Sequence, residues 1–166
     1  MLHIRSAAPS DAPAIAAIIL PVIREGATYA LDPCMAEADA ITYWMGDDRQ
    51  CFVAEEDGAI LGTYYLRANQ AGGGGHVCNC GYMTAAQARG RGVARAMSAH
   101  SIEQGRQARF RAMQFNFVVA SNLRAVHLWQ AMRFAIVGRL PGAFRQPDGA
   151  YVDALVMHRT LLDEAG

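Results

Sequence analysis

Residues 83–101 read Met83-Thr-Ala-Ala-Gln-Ala-Arg89-Gly90-Arg91-Gly92-Val93-Ala94-Arg-Ala-Met-Ser-Ala-His-Ser101. An apolar segment runs into two arginines alternating with two glycines, and a helical pattern follows at once. A helix opens with backbone N–H groups that have no partner inside it, and its dipole makes that end positive. Glycines let a ligand approach the backbone closely, and Arg89 and Arg91 add full charges. Together these features predict an anion site fitted to a phosphate or pyrophosphate. Two familiar phosphate motifs do not apply. There is no G-x-x-x-x-G-K-[ST], and a dinucleotide fingerprint begun at Gly90 would need glycine or alanine where Arg95 stands. A surface turn that merely carries arginines is the plainer reading of an isolated Arg-Gly-Arg-Gly.

Working outward, Leu2–Ser6 reads as a short strand. Ser10-Asp11 caps a helix with Ile15, Ile18, Ile19 and Val22 at helical spacing, and Met35–Met45 is a second, shorter helical pattern. Cys51–Ala54 and Ile60–Leu66 are strands joined across the tight turn signal Asp57-Gly58. Gly72–Gly75 leads into a fourth strand at about His76–Thr84, and the helix after the arginine–glycine turn runs from about Gly92 to Arg106. Met113, Phe115, Phe117 and Val119 alternate with polar residues along a fifth strand. Ser121-Asn122 caps a helix through about Met132, and strands near Ala135–Leu140 and Tyr151–His158 close the chain. The order β-α-α-β-β-β-α-β-α-β-β predicts an α/β layer fold, one domain over residues 1–166.

Composition narrows the partner. The chain is 52% hydrophobic and 18% charged, enough to bury a core, and its 15 basic and 15 acidic residues cancel. Nucleic acid or an anionic membrane would call for a basic excess, so neither is expected and the ligand is small. Asp11 and Pro21 break any export signal, and no stretch approaches the roughly 20 apolar residues of a membrane span. Cys34, Cys51, Cys78 and Cys80 lack disulfide-framework spacing, which predicts free thiols and a cytoplasmic protein. His76, Cys78 and Cys80 alternate on one strand face, but residues so spaced sit about 6–7 Å apart, wide for a tetrahedral zinc site. Buried thiols are the better reading, and no metal is expected.

Arg89-Gly90-Arg91-Gly92-Val93-Ala94 resembles the [QR]-x-x-G-x-[GA] acetyl-CoA signature of the GNAT-type N-acetyltransferase superfamily. Asn122-Leu-Arg-Ala125-Val-His-Leu128-Trp129-Gln-Ala-Met-Arg133-Phe134 is similar to the family's N-x-x-A-x-x-L-Y-x-x-x-G-F segment. With the element order and length, the resemblance covers essentially the whole chain. Residues 138–144 and 151–157 look like the branch acting on amino acids and related small amines, including phosphinothricin-type acetyltransferases.

The resemblance implies a mixed, mostly antiparallel sheet whose fourth and fifth strands splay apart to admit the pantetheine arm of acetyl-CoA. It implies cofactor contacts from the backbone of Tyr82, Met83 and Thr84, from the turn Arg89, Gly90, Arg91, Gly92, Val93 and Ala94, and from Asn122, which caps a helix in any case. A strand-four N–H would polarise the thioester carbonyl while the substrate amine attacks directly. Glu25, after the first helix, and His76, at the start of the fourth strand, are the candidate bases, each with a plain alternative as a solvated helix end or a loop histidine. Trp129 stands where the family places a tyrosine acid. Indole N–H is too weak an acid to protonate a thiolate, so Trp129 shapes the pocket, orients the sulfur, or is a core residue. Arg133 replaces the glycine before Phe134. The implied activity is acetyl-CoA-dependent N-acetylation of a small amine by a homodimer. A peptide or protein N-terminal acetyltransferase and a non-catalytic acyl-CoA sensor are the alternatives.

Overall fold

The hairpin signal at Asp57-Gly58 folds as read, with both residues at positive φ (52° and 79°), the geometry that matches strand twist. The computed structural model describes residues 1–162. In chain order the elements are β1 (His3–Ser6), α1 (Ala12–Glu25), α2 (Glu37–Trp44), β2 (Gln50–Glu56), β3 (Ala59–Ala68), β4 (Val77–Thr84), α3 (Val93–Gln107), β5 (Ala112–Val119), α4 (Leu123–Ala131), β6 (Ala135–Arg145) and β7 (Tyr151–Thr160). This is the order that the sequence pattern predicts. The strands form one seven-stranded sheet, β1-β2-β3-β4-β5-β7-β6. Every neighbouring pair is antiparallel except β4 and β5, which run parallel. No helix among the described residues is long and apolar enough to cross a membrane.

Helices cover both faces. Ile15, Ile19 and Ile23 turn the buried stripe of α1 onto the sheet, and Gly26, with φ 65°, ends that helix in a left-handed cap. On the same face α2 sends the Trp44 indole N–H to Thr63 Oγ1 at 3.0 Å, and that hydroxyl donates to the Phe52 carbonyl at 2.9 Å. On the opposite face α3 comes close because β3 offers Gly62. A Cβ there would meet Met97 at 2.8 Å and Val93 at 2.9 Å. Tyr64, two residues along the same face, bonds His100 Nδ1 at 2.7 Å.

Three of the bounds that differ from expectation have a local cause. β6 runs on to Arg145 instead of stopping near Leu140. Pro141 cannot donate to the ladder and Gly142 turns left-handed (φ 56°), so the strand bulges between Leu140 and Phe144. Asp153 spans the bulge, accepting from Gly142 N–H at 2.9 Å and Arg139 Nη1 at 2.7 Å. α2 begins at Glu37, because Ala36 is extended (ψ 151°). His76 lies in the turn before β4 and not in the strand.

The sheet opens between its two parallel strands. β4 and β5 pair only at Val77–Ala112 and Cys78–Met113. Beyond that β4 stays with β3 out to Thr84, while β5 follows β7 out to Val119. The Asn79 side-chain amide donates to the Gln114 carbonyl at 2.9 Å, a rung at the throat of the fork. Past it β5 carries a bulge between Phe115 and Val118, which spares Asn116 and Phe117 from the ladder.

Candidate active site

In an antiparallel ladder the backbone groups of successive residues point alternately to one neighbour and then the other. Ala85 N–H bonds the Leu61 carbonyl of β3 at 2.9 Å, so Met83 also faces β3 while Tyr82 and Thr84 turn their backbone groups into the fork. The Tyr82 groups are held there by one side chain. Tyr29, in the loop after α1, accepts from Tyr82 N–H at 2.8 Å and donates to the Tyr82 carbonyl at 2.9 Å. The Tyr82 ring lies across the fork against Trp129, with centroids 4.9 Å apart, and its hydroxyl bonds Ser101 Oγ at 2.7 Å.

The fork is a cleft of about 240 Å³. Tyr82, Asn122 and Trp129, all expected at the site, line it together. Asn122 also does its capping work, accepting from Ala125 N–H at 3.3 Å. Trp129 is 8% exposed and packs on Phe115, so it is a wall of the cleft and part of the core at once. Among the described residues, Arg67 is the charged side chain lining the cleft. Burial pushes the Tyr29, Tyr65 and Tyr82 phenols above their ordinary value, so they stay protonated. A wider mouth, lined by Ala27, Thr28, Ser121 and Asp148, adjoins the cleft at Thr28 and Asn122.

Just past Thr84, at the end of β4 where the fork opens, stands the turn that opens α3. Gly90 and Gly92 both have φ 80°, a conformation that favours glycine, and nothing lies within 4 Å of where a Cβ would stand on either. The helix ladder first closes at Ala96 N–H to the Gly92 carbonyl, 3.0 Å, leaving the N–H groups of Val93 and Ala94 without a partner four residues back. Arg89 is exposed, whereas Arg91 makes an ion pair with Glu56 of β2. This constellation fits a pyrophosphate: open glycines, free helix N–H groups and a cation.

Neither candidate base lines the cleft. Glu25 is the exposed last residue of α1, two positions before Ala27 of the mouth. His76 is exposed in the turn at the closed end, where β4 and β5 still pair. Cys78 and Cys80 are buried beneath α3, and burial pushes the Cys78 thiol up to about 12. Among the described residues no group of three or more His, Cys, Asp or Glu side chains gathers as a metal site.

Sequence reasoning passed over Tyr29, Arg67, Asn79 and Asn116. Asn79 carried a signal, an amide amid the apolar run Val-Cys-Asn-Cys-Gly-Tyr-Met. Tyr29 and Arg67 carried none, since the first is a loop residue and the second ends a strand.

A sheet forked between two parallel strands, beside a helix that opens on a glycine–arginine turn, defines the N-acetyltransferase fold class. The chain belongs to the acetyltransferase (GNAT) family, whose model matches residues 20–134. A GCN5-related N-acetyltransferase from Kribbella flavida superposes with TM-score 0.91 at 40% identity, covering 96% of this chain and 97% of that one. A phosphinothricin acetyltransferase (Pat) from Sinorhizobium meliloti, solved in complex with AcCoA, superposes with TM-score 0.86 at 20% identity over 99% of this chain and 90% of its own, a likeness of fold. The N-acetyltransferase aca1 of Schizosaccharomyces pombe is 28% identical over 99 residues, or 59% of this chain. That match spans 47% of aca1, about half its length.

Proposed function

We propose that the protein transfers the acetyl group of acetyl-CoA to the amine of a small substrate, an amino acid or analogue, by direct attack. The observation that carries this reading is the fork, with the Tyr82 backbone groups turned into a cleft beside the open turn of α3. The Val93 and Ala94 N–H groups, Gly90, Gly92 and the Arg89 guanidinium would hold the pyrophosphate, with Arg91 tethering the turn to Glu56. Tyr82 and Thr84 offer the backbone to the pantetheine arm, and Met83 contributes by keeping β4 bonded to β3. Tyr82 N–H is the donor aimed where a carbonyl oxygen gains charge, and Tyr29 must share or yield it when a thioester enters.

The attacking amine must lose a proton. The Tyr29, Tyr65 and Tyr82 phenols are held protonated by burial, so they donate hydrogen bonds and do not serve as bases. The proton leaves through water in the mouth, which Asp148 lines and Glu25 borders in sequence, and His76 at the closed end is the less suited of the two expected bases. Trp129 and Asn122 shape the cleft wall around the sulfur. Two further expectations complete the reading. The free thiols support a cytoplasmic protein. The exposed Ile136, Val137 and Leu140 on edge strand β6 support a homodimer.

Steady-state release of the CoA thiol, with amino acids, simple amines and short peptides as acceptors, tests the function. Turnover fastest with amino acids is the expected result. Turnover confined to peptides would favour an N-terminal acetyltransferase. Tight acetyl-CoA binding with no turnover on any amine would leave a sensor and overturn the proposal.

A further inference from the structure

We propose that Arg67 is the specificity-determining residue that binds a carboxylate of the acceptor inside the cleft. The inference rests on the acetyl-transfer reading and names what its acceptor must carry. Arg67 ends the face of β3 that also bears Thr63 and Tyr65, and it lines the cleft. Its Nε is buried and without a hydrogen-bond partner among the described residues. Its ionic partner is Asp48, at 3.4 Å from Nη1. That carboxylate is already gripped by Arg49, at 2.7 Å from Nε and 3.0 Å from Nη2. Arg49 is itself wedged 5.1 Å from the Tyr43 ring centroid and 4.8 Å from that of Tyr65, both walls of the cleft, and its buried Nη1 also lacks a partner.

Two guanidiniums therefore share one carboxylate, and 58% of that Asp48 side chain faces solvent. Arg67, its side chain 30% exposed, keeps a buried N–H donor idle and has no carboxylate of its own, and a second carboxylate docked on it cures both defects. No acidic residue lines the cleft among the described residues, so a bare ammonium or a polyamine finds no carboxylate there to offset its repulsion by Arg67. An acceptor that brings its own carboxylate cancels the charge, leaving its amine to face Tyr82. The arrangement selects zwitterions over polycations.

The test compares the twenty L-amino acids with their twenty L-carboxamides as acceptors, for the wild type, Arg67→Gln and Arg67→Lys. Expected is a preference of tenfold or more in kcat/KM for the free acid over its carboxamide, lost in Arg67→Gln through a raised KM and partly kept in Arg67→Lys. Carboxamide turnover does not fall in either variant and rises in Arg67→Gln as the repulsion of the lone ammonium is removed, which a merely structural role would not allow. A second measurement does not depend on turnover. The Arg67 Nε–H resonance is followed as N-acetyl-L-alanine is added. A saturable shift supports the subsite even if no amine is acetylated, a result that would sink only the acetyl-transfer reading. Equal use of acids and carboxamides, a preference that survives Arg67→Gln, or an Nε–H that ignores N-acetyl-L-alanine would overturn the role given to Arg67.

Discussion

Arg133 shows what a single residue can cost. Helix α4 ends in a Schellman motif: Phe134 N–H bonds the Trp129 carbonyl and Arg133 N–H the Gln130 carbonyl, both at 2.9 Å. The Phe134 and Trp129 rings complete it, with centroids 6.2 Å apart. The motif needs a left-handed residue, and Arg133 supplies it at φ 64° despite its Cβ. A glycine there avoids a strain of about 1–2 kcal/mol, partly offset by the greater entropy glycine has when unfolded. Arg133→Gly is thus expected to raise the melting temperature by roughly 2–4 °C while leaving activity unchanged. Calorimetric melting of the two proteins checks it, and an equal or lower midpoint would contradict the strain argument.

At the scale of elements, the loop after α1 and strand β4 are joined by the Tyr29 hydroxyl. Tyr29→Phe frees both backbone groups of Tyr82. Stability should fall by about 1 kcal/mol, and acetyl-CoA should bind more tightly because nothing competes for Tyr82 N–H. Paired unfolding and titration experiments read both, and weaker binding in the variant would make Tyr29 a ligand contact instead of a competitor. A second junction ties β1 to the start of α1. Arg5 grips Asp11 at 2.7 and 3.1 Å, and hydrogen bonding to Arg5 holds the buried Asp11 carboxyl below its usual range. A carboxyl lowered in the folded state stabilises above its unfolded value near 3.9, and that contribution fades as the pH falls through the lower folded value. Asp11→Asn should therefore cost roughly 1.5–3 kcal/mol at pH 7 and progressively less below pH 4 in denaturant titrations. A penalty that did not shrink in acid would show that the charge is not what matters.

The same elements mark what a reader of the sequence can and cannot see. The turn at residues 89–94 was legible because both its causes, glycines at positive φ and a helix start, are local. Element order was legible for the same reason, since each period and each cap spans a few residues. The fork itself came only through family resemblance, as no local pattern says that β4 and β5 stop pairing after Cys78. Tyr29 and Arg67 were invisible. Tyr29 meets Tyr82 across 53 residues of chain, and Arg67 matters through an Asp48 that its neighbour Arg49 has already claimed.

For the whole molecule, the open end of β4 and the turn of α3 that follows it act as one machine, the turn holding the donor and the fork presenting its thioester to the amine. The exposed face of β6 adds a claim about assembly: sedimentation at micromolar concentration should give a dimer, and a monomer would remove the role assigned to that edge. The central claim is that acetyl-CoA lies along β4 from the turn into the fork. The most direct measurement follows the backbone amide resonances of the protein as acetyl-CoA is added. The account predicts the largest shifts at Gly92, Val93 and Ala94 and at Tyr82, with Tyr82 responding less to CoA lacking the acetyl group. Shifts clustered elsewhere, or turn residues that respond while Tyr82 stays silent with acetyl-CoA, would contradict it.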